Sequence, residues 1–266
     1  MQTSILFTIF LSVKFAFTAD EEPANGNLRV GKGETKVKVP LVINISEDLP
    51  EQSVVYQSRS FPNHYYYGIK PEYDAEYRIG AIKDGQEVII EDDERSVGRT
   101  FMVDTTERAN KGLGIFKYVD VSTVYKTESG DLEHDIREFL KMSQHLPYRE
   151  IDRHPVEVDV SRQDGTLIVK RLVKDDGEIL YFISRDLDNA AVIGRVKYGR
   201  YIVDDRTDGL VYRFVVLTEN AGDRPITITS YTKDGKRIKS KYVFVDDDQG
   251  FKLESEDIAD DIGHVE

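Results

Sequence analysis

The chain contains one stretch of its own sequence twice, and this repeat limits what the chain can fold into. Residues 67–89 align without a gap to residues 181–203, and seven of the 23 aligned positions are identical, where chance would give roughly one or two. The identical pairs are Tyr67/Tyr181, Ile69/Ile183, Asp74/Asp188, Ile79/Ile193, Gly80/Gly194, Lys83/Lys197 and Gly85/Gly199. Such self-similarity indicates a tandem duplication in which each copy is one folding unit.

The 266 residues therefore divide into two units of ordinary domain size. We predict a first repeat domain over residues 39–147 and a second over residues 148–254. Each unit has about 110 residues, which is enough to bury an apolar core without covalent staples. The chain has no cysteine, so disulfides and thiolate chemistry are excluded.

Short β-type segments recur in both copies. Residues 40–46 and 155–161 are β-branched runs opened by a proline, which is tolerated at the first position of a strand. Tyr65, Tyr67 and Ile69 stand at every second position, and their counterparts in the second copy are also large and apolar or aromatic. This period of two predicts a strand whose alternate side chains face a core.

One segment departs from the β pattern. Over residues 131–144 apolar side chains recur at helical spacing, and these are Leu132, Ile136, Phe139 and Leu140. A proline at position 147 follows, and a helix usually ends before a proline. The pattern therefore predicts a helix at about residues 131–144.

Turn signals complete the predicted architecture. Asp84-Gly85 and Asp234-Gly235 are favoured central residues of two-residue β-hairpin turns. The predicted fold class is mostly β with minor α, in the form of two tandem homologous β-rich domains of antiparallel hairpins joined by one helix.

The two ends of the chain have their own patterns. Residues 1–19 resemble a secretory signal peptide, because the apolar run at residues 5–13 leads to small residues ending at Ala19 and then to acidic residues. A buried N-terminal strand is the alternative. Residues 20–38 are predicted to be a flexible acidic lead, and residues 255–266 an acidic tail without the apolar segment of a GPI-type anchor signal. The apolar run is too short to span a bilayer, so we expect a secreted protein without stable membrane insertion.

The charge of the chain restricts its partners. The net charge is −13, and removal of residues 1–19 takes away one lysine and no acid, which makes it −14. Nucleic acids, anionic membranes and heparin-like chains bind basic surfaces. We therefore expect none of these three kinds of partner.

Several of the repeated motifs resemble a known family. They are the strand ends Asn44-Ile45-Ser46 and Asp159-Val160-Ser161, the hairpins at residues 79–89 and 193–203, and the closing strand at residues 242–246. Together they look like the FAINT domain, named as frequently associated in Theileria. The resemblance covers most of residues 40–130 and 155–253, and the overall plan is also similar to that of piroplasm merozoite surface antigens.

The resemblance implies a location and a type of function. FAINT domains occur in tandem in proteins that piroplasm parasites secrete. The resemblance therefore implies export to the parasite surface or into the host cell, and a role in host interaction with a host or parasite protein as the partner. The family has no established catalytic residues that could be carried over to this chain.

The residues themselves contain no recognisable catalytic motif. The histidines are His64, His134, His145, His154 and His264, and no two of them have the spacing of a zinc site. The serine-hydrolase elbow and the phosphate-binding loop are both missing from the sequence. We therefore predict no catalytic, cofactor-binding or metal-binding residues, no cofactor and no enzymatic activity.

Acidic runs leave two alternatives open. Residues 91–94, 204–208 and 246–248 are rich in carboxylates. Converging oxygens could bind calcium in an adhesion module. A pair of carboxylates could instead serve a secreted, sugar-directed hydrolase.

Exposed tyrosines are the remaining candidates for a binding surface. Since alternation places Tyr65 and Tyr67 towards the core, Tyr66, Tyr73 and Tyr77 form the predicted contact surface. The main prediction is a secreted, non-enzymatic protein that acts in host interaction through tandem β-rich modules.

Overall fold

The computed structural model describes residues 37–105, 117–162, 164–218 and 224–260. The predicted signal peptide, nearly all of the lead and the last six residues of the tail lie outside the described residues. The described part is mostly β, as predicted, and is arranged in four sheets. We call strands β1–β9 repeat 1 and strands β10–β18 repeat 2.

Repeat 1 begins with a strand from the proline-opened run and ends with a two-residue strand. Its strands are β1 (Val39–Asn44), β2 (Ser53–Gln57), β3 (His64–Ile69), β4 (Tyr77–Asp84), β5 (Glu87–Ile90), β6 (Ser96–Asp104), β7 (Lys117–Lys126), β8 (Leu132–Lys141) and β9 (Arg149–Glu150). A single 3₁₀ turn (Pro71–Tyr73) lies between β3 and β4.

Repeat 2 has the same succession of elements. Its strands are β10 (His154–Asp159), β11 (Val169–Val173), β12 (Glu178–Ile183), β13 (Ala191–Tyr198), β14 (Tyr201–Asp204), β15 (Leu210–Thr218), β16 (Ile226–Thr232), β17 (Lys236–Asp246) and β18 (Gly250–Asp260). Its 3₁₀ turn (Arg185–Leu187) again lies between the third and fourth strands of the repeat. Strand β18 extends into the region predicted as an acidic tail.

Both repeats have one strand order. In repeat 1 a six-stranded sheet has the order β2-β3-β6-β7-β8-β9 and a three-stranded sheet the order β1-β4-β5, while repeat 2 has β11-β12-β15-β16-β17-β18 and β10-β13-β14. The pairs β1–β4 and β10–β13 are parallel, and the other paired strands are antiparallel. Even the irregularities recur, since the β1–β4 register shifts after Leu41 and the β10–β13 register after Val156. The common topology is what a tandem duplication predicts.

The core of each repeat lies between its small and its large sheet. Ile79 and Ile193, identical in the sequence repeat, are both completely buried in these cores. The strand predicted from the period of two is present in both copies, and Tyr181 and Ile183 are buried in the core of repeat 2 as expected. In repeat 1 Tyr67 and Ile69 pack against the core, but Tyr65 is only half-buried, like the other residues of β3.

A close contact within each small sheet explains an identical glycine. A Cβ atom added to Gly80 would stand 2.8 Å from the Cβ of Pro40, and one added to Gly194 would stand 2.6 Å from the Cβ of Pro155. Each glycine therefore lets the central strand approach the proline of the first strand. In both repeats a side chain at the glycine position would overlap the proline.

The predicted helix at residues 131–144 is wrong. That segment forms β8, a ten-residue strand paired with β7 from Leu132 to Lys141, and the described residues contain no α-helix. The apolar spacing has another cause: Phe139 faces the core, whereas the neighbouring Leu140 is buried on the opposite face of the sheet. A strand buried on both faces at one end loses strict alternation, and here the result imitates a helical stripe.

Candidate functional site at the hairpin ends

The three predicted contact tyrosines occupy two places. Tyr66 lies in β3 on the large sheet, opposite Tyr56 of the edge strand β2. Tyr73, in the 3₁₀ turn, and Tyr77, at the start of β4, form an edge-to-face pair with ring centroids 6.1 Å apart. Each of the three is half-buried, while Tyr56 is 59% exposed. The structure thus joins Tyr73 to Tyr77 and places Tyr66 with a tyrosine that the sequence analysis did not select.

A side-chain clip holds the small-sheet hairpin in each repeat. In repeat 1 the Asn44 amide oxygen accepts a hydrogen bond from the backbone N–H of Gly85 at 2.8 Å, and its Nδ2 donates to the Gly85 carbonyl at 3.0 Å. In repeat 2 the Asp159 carboxylate accepts from the N–H of Gly199 at 2.9 Å and from the Ser161 hydroxyl at 2.7 Å. The motifs that carried the family resemblance therefore fix the β4–β5 and β13–β14 turns.

The turns themselves require glycine. Gly85 and Gly199 have φ angles of +64° and +58°, in the left-handed region that other residues adopt at a cost. Clip and glycine together hold the corresponding turn in each repeat. We call the region around each of these turns the hairpin end of the repeat.

The hairpin end of repeat 1 is charged. The Lys117 ammonium donates to both carboxylate oxygens of Asp84, at 2.8 and 2.9 Å, and the hydroxyls of Ser46 and Tyr148 also donate to Asp84. Lys141 donates to Glu87 at 2.6 Å.

This charged cluster is electrostatically balanced. Burial works to raise the pKa of Asp84, but the hydrogen bonds from Lys117, Ser46 and Tyr148 outweigh it and lower that pKa below its ordinary value. Burial and the charge of Asp84 raise the pKa of Tyr148, which stays a neutral donor. The arrangement holds an ionised carboxylate, which is the state expected of a structural ion pair.

The hairpin end of repeat 2 is aromatic. Its half-buried rings are Tyr198, Tyr201, Phe244 and Phe251. The centroid distances are 5.3 Å for Tyr198–Phe251, 5.4 Å for Phe244–Phe251 and 5.6 Å for Tyr201–Phe244. Tilted and edge-to-face geometries of this kind are favourable for aromatic rings.

Exposed polar groups surround these rings. The guanidinium of Arg200 lies 4.8 Å from the ring centroid of Tyr201 and donates to the Asp247 carbonyl at 2.9 Å. The Tyr201 hydroxyl donates to the same carbonyl at 3.0 Å, and Arg224 donates to the Tyr198 hydroxyl at 3.1 Å. Arg200 and Asp247 remain 69% and 86% exposed, so this end offers both charges and aromatic edges to solvent.

The two hairpin ends are equivalent positions with different chemistry. The sequence repeat aligns Asp84 with Tyr198 and Glu87 with Tyr201. Strand register makes Lys141 the equivalent of Phe244. In each repeat the first core residue of β7 or β16 pairs with one residue of the next strand, β8 or β17. Lys141 stands two residues after that paired residue in β8, and Phe244 stands two residues after it in β17. Comparing the two copies in the sequence would have revealed this difference, because charged residues of repeat 1 stand where repeat 2 has aromatic residues.

A buried arginine that sequence reasoning missed also recurs. Arg99 donates through Nε to Thr123 at 3.1 Å and through Nη1 to the Gly80 carbonyl, while Arg213 donates through Nε to Ser230 at 2.8 Å and through Nη1 to the Gly194 carbonyl at 2.6 Å. Both arginines join the large sheet to the central strand of the small sheet. Burial lowers the pKa of each.

Several acids of the runs considered for calcium are engaged within the fold. Asp92 pairs with Arg78 and Asp93 with Arg95, so these acids face cations. The carboxylate of Asp246 accepts hydrogen bonds from the backbone of its own turn.

Asp204 is the most deeply buried of these carboxylates. Its side chain is 1% exposed and pairs with Arg206 at 2.6 Å and Arg213 at 3.3 Å, and Tyr242 donates to it at 2.6 Å. Within the described ranges no group of three or more histidine, aspartate or glutamate side chains is arranged to hold a metal ion.

A small polar recess lies beside the clip of repeat 2. It has a volume of about 120 Å³ and an open mouth, and charged side chains of both signs line it. They are Glu157, Asp159, Arg162, Asp164 and Lys197. The volume is far below the several hundred Å³ of a typical small-molecule site.

Comparison of the chain with protein-family models, with curated proteins and with solved structures finds no match to any of them. Among the described residues, no helix has the length and apolar character needed to cross a bilayer.

Proposed function

We propose that the chain is a secreted, non-enzymatic binding protein in which two copies of one β module present different surfaces, and that it acts between a piroplasm parasite and its host. The observation that carries the proposal is the pair of hairpin ends. The repeats keep the clip, the turn glycine and the buried arginine, yet one end is an ion-pair cluster and the other an aromatic cluster. A common framework that carries different side chains at its turns is typical of modules that bind through their loops and turns.

The state of the carboxylates also favours binding over hydrolysis. A carboxyl group that serves as a general acid needs a raised pKa. At the hairpin end of repeat 1 and in the buried network of repeat 2 the opposite holds, because hydrogen bonds and cations outweigh burial and lower the pKa of Asp84 and Asp204. Ionised carboxylates fixed by in-chain cations serve structure.

The hairpin end of repeat 2 is the surface that we propose to meet the partner. Aromatic residues and arginine are enriched at protein–protein contacts, and Arg200 with Tyr201 supplies both in an exposed position. The predicted tyrosines Tyr66, Tyr73 and Tyr77 remain a second proposed contact surface, on repeat 1.

Binding of the fluorescently labelled chain, begun at Asp20, to host cells tests this proposal. We expect saturable binding that Arg200→Glu weakens at least about tenfold, because contact arginines dominate such interfaces. Arg195→Glu is the matched control, since Arg195 is 51% exposed on strand β13 of the same repeat. Absence of saturable binding, or equal loss in the two variants, would contradict the proposal.

A carboxylate-dependent hydrolase is the second candidate, and one observation favours it. Burial raises the pKa of Asp135, and the charge of Glu150 adds to this, while the Arg137 hydrogen bond lowers the pKa of Glu150. Two carboxyl groups with pKa values driven apart are the pattern of an acid and its partner. Release of reducing sugar from host glycans by the wild type, and its loss in Asp135→Asn, would support this candidate; no release by the wild type would dismiss it.

A further inference from the structure

The segment between the two repeats is held against repeat 1. It runs through residues 151–153, after β9 and before β10. The backbone N–H of Ile151 donates to the carbonyl of Glu138 in β8 at 2.8 Å, and the Ile151 side chain is only 8% exposed. The connection is therefore bound along the sheet edge.

Arg153 then joins the repeats directly. Its Nη2 donates to Glu138 Oε1 at 2.9 Å and its Nη1 to Glu138 Oε2, so the contact with β8 of repeat 1 is bidentate. Its Nε donates to the carbonyl of Asp188 at 2.6 Å, just after the 3₁₀ turn of repeat 2. One planar guanidinium thus fixes groups from both repeats at once, in a geometry that a lysine does not reproduce.

The surroundings keep this contact in place. The side chains of Arg153 and Glu138 are 11% and 5% exposed, and the Tyr118 hydroxyl donates to Glu138 Oε1 at 2.5 Å. A second link lies along the same strand, where the N–H of Ile136 donates to the carbonyl of Lys233 in the β16–β17 turn at 2.7 Å. Repeat 2 is therefore linked to β8 at two separate points, once through Arg153 and once directly.

We propose that Arg153 is a pin that fixes the two repeats in one orientation, so that the protein is a single rigid body with two differently built ends rather than two independently moving modules. Buried ion pairs contribute little net stability compared with apolar packing, and specifying a unique arrangement is their better supported role. This inference stands on the inter-repeat contacts and does not depend on the proposed host partner. If that partner exists, both hairpin ends meet it in a fixed relation.

Measuring the distance between the repeats tests this role of Arg153. Because the chain has no cysteine, Glu47→Cys and Asp175→Cys place one spin label in an exposed turn of each repeat without removing a native thiol. We expect one narrow distance distribution by pulsed electron paramagnetic resonance in this labelled protein. Arg153→Gln removes the charge and the bidentate geometry, and we expect it to broaden the distribution.

A more exposed arginine on β8, Arg137, is the matched control. Arg137 also pairs bidentately with a glutamate, Glu150, but its side chain is 35% exposed and both residues belong to repeat 1. Arg137→Gln should leave the distance distribution narrow. The circular dichroism spectrum of Arg153→Gln should match that of the unsubstituted protein, so that a broader distribution is not due to loss of β structure. A broad distribution in the unsubstituted labelled protein, an unchanged one in Arg153→Gln, or equal broadening in both variants would overturn the proposal.

Discussion

Arg213 and its equivalent Arg99 show how much of each repeat depends on a single side chain. Both are charged groups inside a domain, and both are satisfied by a serine or threonine hydroxyl on the neighbouring strand and by a glycine carbonyl on the opposite sheet. A buried charge is tolerated only when such partners are present. The arginines therefore couple the packing of the sheets to hydrogen bonds of fixed direction.

Removing the Arg213 guanidinium should cost much of the stability of repeat 2. In Arg213→Met the buried carboxylate of Asp204 loses one of its cations, and we expect the free energy of unfolding to fall by about 3–5 kcal/mol. The control Arg195→Gln breaks an exposed pair with Glu157 and should cost less than about 1 kcal/mol. Urea denaturation measures both, and comparable losses would contradict the structural role of Arg213.

The ion-pair cluster of repeat 1 should make stability fall in acid. Because the folded state lowers the pKa of Asp84, the carboxylate stabilises the fold above its unfolded pKa of about 4, and this contribution is lost as the pH falls through the folded value. Asp84→Asn should therefore lower stability at pH 7 and flatten its decline below about pH 4. Thermal unfolding from pH 7 to pH 2 measures this, with the exposed Glu128→Gln as control; an equally steep decline in Asp84→Asn would refute it.

Residue roles were only partly predictable from the sequence. The identity of Gly85 and Gly199 indicated a turn, and the turn is there. Arg99 and Arg213 also align, at the same offset, but nothing in a single sequence distinguishes a buried arginine from an exposed one. Its partners come from strands that are distant in the chain, so its burial is a property of the assembled sheets.

At the scale of the element, the close approach of β1 to β4 carries a direct prediction. Gly80→Ala should destabilise the fold by about 1–3 kcal/mol, because the new methyl group would overlap Pro40. Gly194→Ala should behave alike against Pro155. Gly68→Ala is the control, because no atom lies within 4 Å of its added Cβ and its φ is not positive. Chemical denaturation compares the three, and a Gly80→Ala protein as stable as the control would contradict the packing argument.

Strand β8 shows why one element was mistaken for a helix. Its C-terminal half, from Glu138 to Lys141, is buried on both faces, since one face meets the core and the other meets Arg153 and the connection between the repeats. The second face is buried by a contact between the repeats, and such a contact leaves no pattern in the sequence of the strand itself. The repeat itself held the correcting signal, because the equivalent β17 follows an Asp-Gly turn and was predicted as a strand.

At the scale of the whole molecule, export predicts a definite pattern of glycosylation. Asn44 begins the sequence Asn-Ile-Ser, but its amide is bound to Gly85 on both sides, so we expect no glycan there. Asp205→Asn creates Asn-Arg-Thr at an exposed position and should be glycosylated after passage through a eukaryotic secretory pathway. Intact mass of the secreted protein measures both. A glycan on Asn44 would contradict the role of its side chain in the clip. A secreted Asp205→Asn protein without a glycan at position 205 would contradict the export prediction.

The architecture was largely predictable because both copies of the repeat carry the same sequence signals. Alternation, prolines and Asp-Gly turns predicted β-hairpins, and the alignment of the copies predicted a common topology, which the strand orders confirm. The division into a small and a large sheet was not predictable, because it depends on which strands pair across long intervals. The hairpin ends were missed for a related reason: their side chains come from three separate hairpins.

The parallel pairing of β1 with β4 has a consequence for how the chain acquires its structure. The first strand of each repeat leaves the ribosome before its partner exists, and two strands and a 3₁₀ turn must be synthesised before β1 can dock. Closing so long a loop costs conformational entropy before any contact compensates for it. Folds rich in non-local contacts therefore reach the native state in milliseconds to seconds rather than microseconds. Each repeat therefore passes through a nascent stage in which its leading strand is unpaired, and in repeat 1 this exposes Ile43, which the folded protein buries completely, to chaperones.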